Sequence, residues 1–219
     1  MTVLRVRGVL FDNDGVLIDS TASVELAWRT FAGWYGLPAA DLLAGVHGRR
    51  SRDVIEQYAD RLPVSVEVAL ARLLGDVAGE GPMTVLPGAA ALLGSLPPRG
   101  WAVVTSGTRG VAGSRLATGG LPTPPVLVSA DDVPAGKPDP APYRIAAERL
   151  GLSPADCLAI EDAPAGLASA RAAGCHTLAL LTTHPRAALT ADHHTPDLTT
   201  VRITPTNDGF EVRIDGTAP

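Results

Sequence analysis

The stretch Val9-Leu10-Phe11-Asp12-Asn13-Asp14-Gly15-Val16-Leu17-Ile18-Asp19-Ser20 constrains this chain more than any other. Its apolar run is short enough for a buried strand, stops at two carboxylates two residues apart, and is turned back by a glycine. Asp12 and Asp14 therefore fall at the carboxyl end of a strand, where open α/β sheets place their ligands, and the turn at Gly15 re-aims the second acid. One carboxylate can then attack while the other handles a proton, or both can hold a hard cation. A polar turn is the bland alternative for Asp-x-Asp-Gly. An EF-hand loop is excluded, because it needs a glycine sixth and a glutamate twelfth. Counted from Asp12, Gly15 is fourth and Ser23 is twelfth.

With 219 residues and 46% apolar content, the chain can bury the core of one domain, or of a domain with an insertion, without crosslinks. Cys157 and Cys175 have neither Cys-x-x-Cys spacing nor metal-ligand company, and read as reduced structural thiols of a cytosolic protein. Met1 to Arg7 runs straight into the first strand with no apolar signal core, and no membrane-length apolar run follows. A soluble, cytoplasmic protein with no membrane partner is expected, and a monomer. The formal net charge of -5, without a long basic run, argues against a nucleic-acid partner.

From Thr21 to about Gly81 the texture is helical, with Val24, Ala27, Trp28, Phe31 and Tyr35 recurring on one stripe. Asp19, Ser20 or Thr21 can cap the first helix, and Gly36-Leu37-Pro38 ends it. Further helices are expected at Ala39 to Ala44, Ser51 to Ala59 and Val66 to Val77, before Gly79-Glu80-Gly81-Pro82 breaks the pattern. Such an insertion between strands reads as a lid, giving a core domain of residues 1–17 and 87–219 and a helical cap of residues 18–86. The loop Gly45-Val46-His47-Gly48-Arg49-Arg50-Ser51-Arg52 puts three cations and an imidazole between two lid helices. It reads either as a solvated turn neutralising Asp41, Asp53 and Glu56 or as a substrate contact, with Arg49 the favoured ligand. Trp28 is a lid core residue by its spacing and a candidate wall of the substrate pocket.

After the lid, a helix follows Leu86-Pro87-Gly88, and Trp101 to Thr105 forms a strand ending in Ser106-Gly107-Thr108. A hydroxyl and a bare backbone N–H at a strand end can serve an anion. A strand at Pro125 to Val128 precedes Gly136-Lys137-Pro138-Asp139-Pro140 and a helix from about Pro142 to Leu150. A Walker loop is excluded there, since Asp131 stands in place of its first glycine and Pro138 in place of its Ser or Thr. Cys157 to Ile160 is a strand that ends in Glu161-Asp162 and opens a helix through Ala173. An N-cap accounts for one of those acids, not both. A strand at His176 to Leu181 follows, then a polar loop holding His184, His193 and His194, expected at the surface. A β-hairpin around Asn207-Asp208-Gly209 adds to the sheet edge or packs beside it.

Phe11 to Ser20, Ser106, Gly136-Lys137-Pro138-x-Pro140 and Glu161-Asp162 together resemble, in order, the four motifs of the haloacid dehalogenase superfamily. Asn13 departs mildly from the pattern, which prefers an apolar residue there. The resemblance implies an α/β fold, a three-layer, doubly wound parallel sheet of order 5-4-1-2-3, with an inserted α-helical cap and the C-terminal hairpin. It implies phosphoryl transfer with Asp12 as nucleophile and Asp14 as acid and base. Mg²⁺ would be bound by Asp12, the Asp14 carbonyl and Asp162, with Glu161 supporting through water, and Ser106, Gly107 and Lys137 would hold the phosphate. Asp14 and the Glu161-Asp162 pair argue against dehalogenation, which needs neither metal nor a second acid. The cap helix, the Val46-His-Gly-Arg49 loop and the hairpin look similar to bacterial sugar phosphatases of low specificity, which act on phosphorylated sugars and polyols. Related β-phosphoglucomutases carry a histidine four residues before the cap tryptophan, and here that place is Val24. Hydrolysis is therefore expected over the alternatives, a phosphosugar mutase or a non-catalytic phosphate-ester binder.

Overall fold

The computed structural model describes residues 1–76 and 81–215. Val77, the expected end of the last lid helix, and Gly79-Glu80 of the expected break lie outside the described residues. Strands β1 (Thr2–Val6) and β2 (Gly8–Phe11) open the chain and belong to different sheets. A two-residue strand β3 (Ile18–Asp19) leads into helices α1 (Thr21–Tyr35), α2 (Ala39–Leu43), α3 (Ser51–Glu56) and α4 (Val66–Asp76), and β4 (Thr84–Val85) brings the chain back. There follow α5 (Ala89–Gly94), β5 (Trp101–Val104), α6 (Arg109–Thr118), β6 (Val126–Val128), α7 (Ala141–Arg149), β7 (Cys157–Glu161) and α8 (Pro164–Ala173). The last elements are β8 (His176–Leu180), β9 (His193–Thr195), β10 (Val201–Thr206) and β11 (Gly209–Ile214).

The main sheet is parallel, in the order β6-β5-β2-β7-β8-β9. Its first five strands have the expected order, with the strand before Asp12 central. Every residue of β2, β5 and β7 is buried, as central parallel strands covered on both faces must be. Alternation along β2 sends Val9 and Phe11 to one apolar cluster, with Leu92 and Leu93 of α5 and Leu116 of α6, and Leu10 to the other, with Tyr143 and Ala146 of α7 and Ala170 of α8. The inserted helices bury their own cluster around Trp28, Phe31, Leu42, Ile55 and Leu73. They join the rest of the chain through the antiparallel β3–β4 ribbon, Ile18 opposite Val85 and Asp19 opposite Thr84.

Two local expectations are sharpened and one is corrected. Met1 to Arg7 runs into the central strand through Arg7 alone, but is itself strand β1, which pairs antiparallel with β11 and whose half-exposed alternation differs from the fully buried β2. The hairpin β10–β11 with β1 makes a separate three-stranded sheet whose Ile203, Phe210, Val212 and Ile214 cover the Val9 and Phe11 face of the main sheet. His193 and His194 are not loop residues but form the edge strand β9, with His194 opposite Ala179. Asp192 anchors its start by accepting from the Thr177 amide at 2.8 Å and hydroxyl at 2.9 Å.

Helix α6 was not foreseen, because Gly110, Gly113 and Ser114 are weak helix formers. The Thr108 hydroxyl starts it by accepting from the Val111 amide at 3.3 Å.

The loop from β6 to Lys137 is braced by Asp132. Its carboxylate accepts from the Ser129 amide (2.8 Å) and hydroxyl (2.7 Å), from Arg109 (2.7 Å) and from Arg149 (2.8 Å). Burial alone would raise its pKa, but the Ser129 and arginine hydrogen bonds outweigh burial and hold it well below the ordinary carboxylate range. A lowered acid contributes stability above its ordinary pKa and loses it as the pH falls. Asp132→Ala should therefore cost about 1.5–3 kcal/mol at neutral pH, read by urea unfolding. The gap to wild type should narrow as the pH drops below 3.8. A gap independent of pH would mean that packing, not charge, carries the brace.

Candidate active site

The end of β2 is tightly pinned. The Asp12 amide donates to the Ile160 carbonyl at 2.9 Å, so Asp12 stays in register with β7. The Asn13 carbonyl then accepts from Leu17 (2.9 Å) and Ile18 (3.0 Å), and the Gly15 amide donates to the Ile18 carbonyl at 2.7 Å. Gly15 takes φ +85°, and a Cβ on it would stand 2.0 Å from Asp162 Oδ2. Glycine is thus required twice here, for the turn and for the approach of the fourth-strand acid.

Under that turn lies a buried charge cluster. Lys137 Nζ donates to Asp12 Oδ1 (2.7 Å), Glu161 Oε1 (2.6 Å) and the Val104 carbonyl (3.0 Å), using its three protons. Tyr143 also donates to Glu161 Oε1, at 2.6 Å, and the Asp162 amide donates to Oε2 at 3.2 Å. Gly166 makes room for this carboxylate, since a Cβ there would lie 1.9 Å from Oε1. Thr183 donates to Asp162 Oδ2. Asp162 Oδ1 is buried with no hydrogen-bond partner among the described residues.

The electrostatics follow from burial. Burial, then the Glu161 charge, pushes the Asp12 carboxyl up to about 8 despite Lys137. Burial, with Glu161 and Asp12, likewise raises Asp162. Burial works against the Lys137 ammonium, but Asp12 and Glu161 outweigh it and its pKa rises. Asp12, Glu161 and Asp162 each offer an oxygen within 4.8 Å of the others, so one point is shared by three buried acids against one ammonium. An all-oxygen, anionic donor set with an orphaned oxygen suits a hard divalent cation.

Above the cluster a cleft of about 320 Å³ separates the sheet edge from the helical insertion. Asp14 lines it with a side chain 28% exposed, its Oδ1 accepting from Ser20 Oγ at 2.5 Å and from Arg115 of α6. Ser106 and Gly107 line it too. The Ser106 hydroxyl donates to the Gly48 carbonyl of the lid loop at 2.9 Å, and the Gly107 amide donates to Thr105 Oγ1 at 3.0 Å. Lys137 and Glu161 lie behind the wall rather than in it.

The basic lid loop divides. Arg49 lines the cleft, and its guanidinium donates to the Gln57 side-chain oxygen at 3.0 and 2.7 Å, with longer contacts to the Gly45 (3.5 Å) and Asp53 (3.4 Å) carbonyls. Arg50 is buried, forks onto Asp53 at 2.9 and 2.6 Å, and donates to the Val133 (2.9 Å) and Pro134 (3.2 Å) carbonyls, clasping the lid to the loop that carries Lys137. For Arg50 the charge-neutralising reading holds at Asp53, but the residue is buried, not solvated. Trp28 packs edge-on against Phe31 with centroids 5.4 Å apart, in the core of the inserted helices, and also lines the cleft.

Three residues at the site escaped the sequence reading. Arg115 could have been found as an arginine on the apolar face of a helix, between Ala112 and Leu116, had α6 been recognised. Thr183 and His184 lie three and four residues after the end of β8, on the same edge of the sheet as Asp12, Ser106 and Asp162 but further from their strand. His184, expected at the surface, instead has Nδ1 within 3.2 Å of the Asp162 carbonyl and its ring 6.1 Å from that of His47 in the lid. Burial and His184 together lower the His47 pKa.

The model of the haloacid dehalogenase-like hydrolase family matches residues 6–174. Hexitol phosphatase A of Escherichia coli is 42% identical over 182 residues, covering 81% of this chain and 84% of the relative. Validoxylamine A 7'-phosphate phosphatase of Streptomyces hygroscopicus subsp. limoneus is 37% identical over 206 residues, covering 88% and 94%. Among solved structures, a hydrolase from Pseudomonas syringae superposes with a TM-score of 0.75 at 24% identity, over 88% of this chain and 94% of that one, a likeness of fold.

Proposed function

Since this chain belongs to the haloacid dehalogenase-like hydrolase family, we propose that it is a Mg²⁺-dependent phosphatase that frees inorganic phosphate from small phosphorylated sugars or polyols. The observation that carries the reading is a buried Asp12, held at 2.7 Å by Lys137, beside an unpartnered Asp162 oxygen and beneath a cleft lined by Asp14. The substrate class rests on the relatives, a hexitol phosphatase among them.

The Asp12 carboxylate attacks phosphorus while the bond from phosphorus to the alcohol oxygen breaks, and Asp14 gives its proton to that oxygen. A water molecule then attacks the aspartyl-phosphate, Asp14 takes its proton, and the electron pair of the broken bond returns to Asp12. The Ser106 hydroxyl and the Gly107 N–H steady the equatorial oxygens, exchanging the Gly48 carbonyl and Thr105 Oγ1 for phosphate, while Lys137 holds Asp12 from behind the cleft wall. Asp12, the Asp14 backbone carbonyl and Asp162 would hold Mg²⁺, with Glu161 fixing Lys137 behind them. Bound there, the cation offsets the repulsion between phosphate and Asp12.

Residues 18–86 act as a cap that closes by pivoting on the β3–β4 ribbon, and Trp28 and Arg49 meet the sugar or polyol. Val24, which also lines the cleft, offers no proton, in keeping with water as the second acceptor. The free, buried Cys157 and Cys175 suit the reducing cytoplasm.

Phosphate release from a panel of hexose, pentose, hexitol and glycerol phosphates, with p-nitrophenyl phosphate as reference, tests this reading. Several esters should be hydrolysed. Chelation with EDTA should remove the activity and lower the melting temperature, and Mg²⁺ should restore both. Unchanged turnover and melting after chelation would remove the metal from the proposal, and silence across the whole panel would remove the phosphatase.

A further inference from the structure

Asp14 is held from two directions, by the last residue of the Phe11 to Ser20 stretch and by an arginine outside all four motifs. Ser20, between β3 and α1 at the hinge of the insertion, donates to Oδ1 at 2.5 Å. Arg115, reaching from α6 across 101 residues of sequence, donates to the same oxygen. Arg115 is itself 7% exposed, although it faces the cleft, so a buried guanidinium has its ion pair with the carboxylate at the mouth of the site. Among the described residues, Asp14 Oδ2 receives a single neutral contact, from the Asn13 amide at 3.2 Å. The two oxygens of one carboxylate therefore differ. Oδ1 is occupied by a charged donor and a short hydroxyl bond, while Oδ2 keeps lone-pair capacity for a proton.

We infer that Arg115 is a positioning residue for the acid–base step: together with Ser20 it fixes Asp14 by Oδ1, so that Oδ2 is the oxygen that gives and takes the proton. The inference rests on the phosphatase reading and deepens it. In the first half-reaction the proton on Oδ2 passes to the alcohol oxygen as its bond to phosphorus breaks and the bond from Asp12 to phosphorus forms. In the second, Oδ2 takes a proton from the attacking water as the aspartyl-phosphate bond breaks and its electron pair returns to Asp12. A carboxylate held through one oxygen presents the other in a fixed direction, whereas a free one must find the direction by rotation. Because Ser20 lies on the outgoing linker of the insertion, the same contact ties the orientation of Asp14 to the position of the lid.

The discriminating measurement is leaving-group dependence. A sugar or polyol alkoxide needs a proton to depart, whereas p-nitrophenolate leaves without one. Steady-state kinetics would be run on the full chain with Mg²⁺, using sorbitol 6-phosphate and p-nitrophenyl phosphate. The ratio kcat/KM is the quantity to compare, because it ends with the first phosphoryl transfer and excludes the hydrolysis step common to both esters. Arg115→Met should lower kcat/KM for the alkyl ester by about 10²-fold and for the aryl ester by less than about threefold. Arg115→Lys should recover part of the loss. In an Asp14→Asn background Arg115→Met should cost nothing further, since both changes remove one function. Ser20→Ala should show the same selectivity at smaller size, and it carries the test if Arg115→Met does not fold.

Equal losses on both esters, or a full additional loss in the Asp14→Asn background, would overturn the inference, the first pointing to general structure and the second to direct substrate binding. Those results would leave the phosphatase reading standing. A wild-type protein inert toward both esters would instead bring down that reading and this inference with it.

Discussion

Asp12→Asn is expected to reduce phosphate release by at least about 10⁴-fold while the protein stays folded. The amide keeps the shape of the carboxylate and can still accept from Lys137, but it is no nucleophile. The folded state should not suffer, because burial and the Glu161 charge already make ionised Asp12 costly enough to push its pKa up to about 8. Neutralising one of three clustered acids removes repulsion at about the rate that it removes attraction to Lys137. Melting temperature and phosphate release, measured on protein whose mass excludes deamidation, check both halves. Turnover within tenfold of wild type would remove Asp12 as the nucleophile, and a collapse in melting temperature would show that the ion pair is mainly structural.

The opposite partition is expected at Lys137. Lys137→Met leaves Asp12 and Glu161 buried and facing each other without the ammonium that now bonds both, and strips the Val104 carbonyl of its donor. Breaking a buried pair from one side costs about 3–5 kcal/mol, since the partner charge stays behind. The same change should abolish turnover, so stability and activity fall together, unlike at Asp12. Urea unfolding followed by circular dichroism measures the first loss, and phosphate release the second. A stability loss below about 1 kcal/mol would mean that Lys137 is not the counterion that holds this cluster.

Much of this arrangement is legible in the sequence because the polar groups that line the cleft sit at strand ends. An apolar run announces its strand, and the first polar residues after it announce the edge: Asp12 after β2, Ser106 after β5 and Asp162 after β7. The lid helices are equally plain from the Trp28, Phe31 and Tyr35 stripe. What stayed hidden depends on partners distant in sequence or on weak local signals. Helix α6 contains glycines that propensity penalises, so Arg115 could not be set on a helix face, nor could its contact with Asp14 be inferred. Strand β9 is three residues long and holds two histidines, a composition that no strand pattern selects. In the lid loop, charge density marked the right segment but could not say that Arg50 turns to Asp53 and the Val133 carbonyl while Arg49 faces the cleft.

The small sheet joining β1 to β11 and β10 bears on how the chain is made. Thr2 lies opposite Ile214, so β1 finds its neighbour only after every strand of the main sheet, all of which lie between the two in sequence, has been made. Until then the Val9 and Phe11 face of the main sheet lacks the cover of Ile203, Phe210, Val212 and Ile214, and presents apolar surface to whatever binds nascent chains. Contacts of such long sequence separation are slow to form, so the catalytic sheet can assemble in order behind a first strand that waits. Vectorial synthesis therefore makes the hairpin β10–β11 later than every strand of the sheet that it covers.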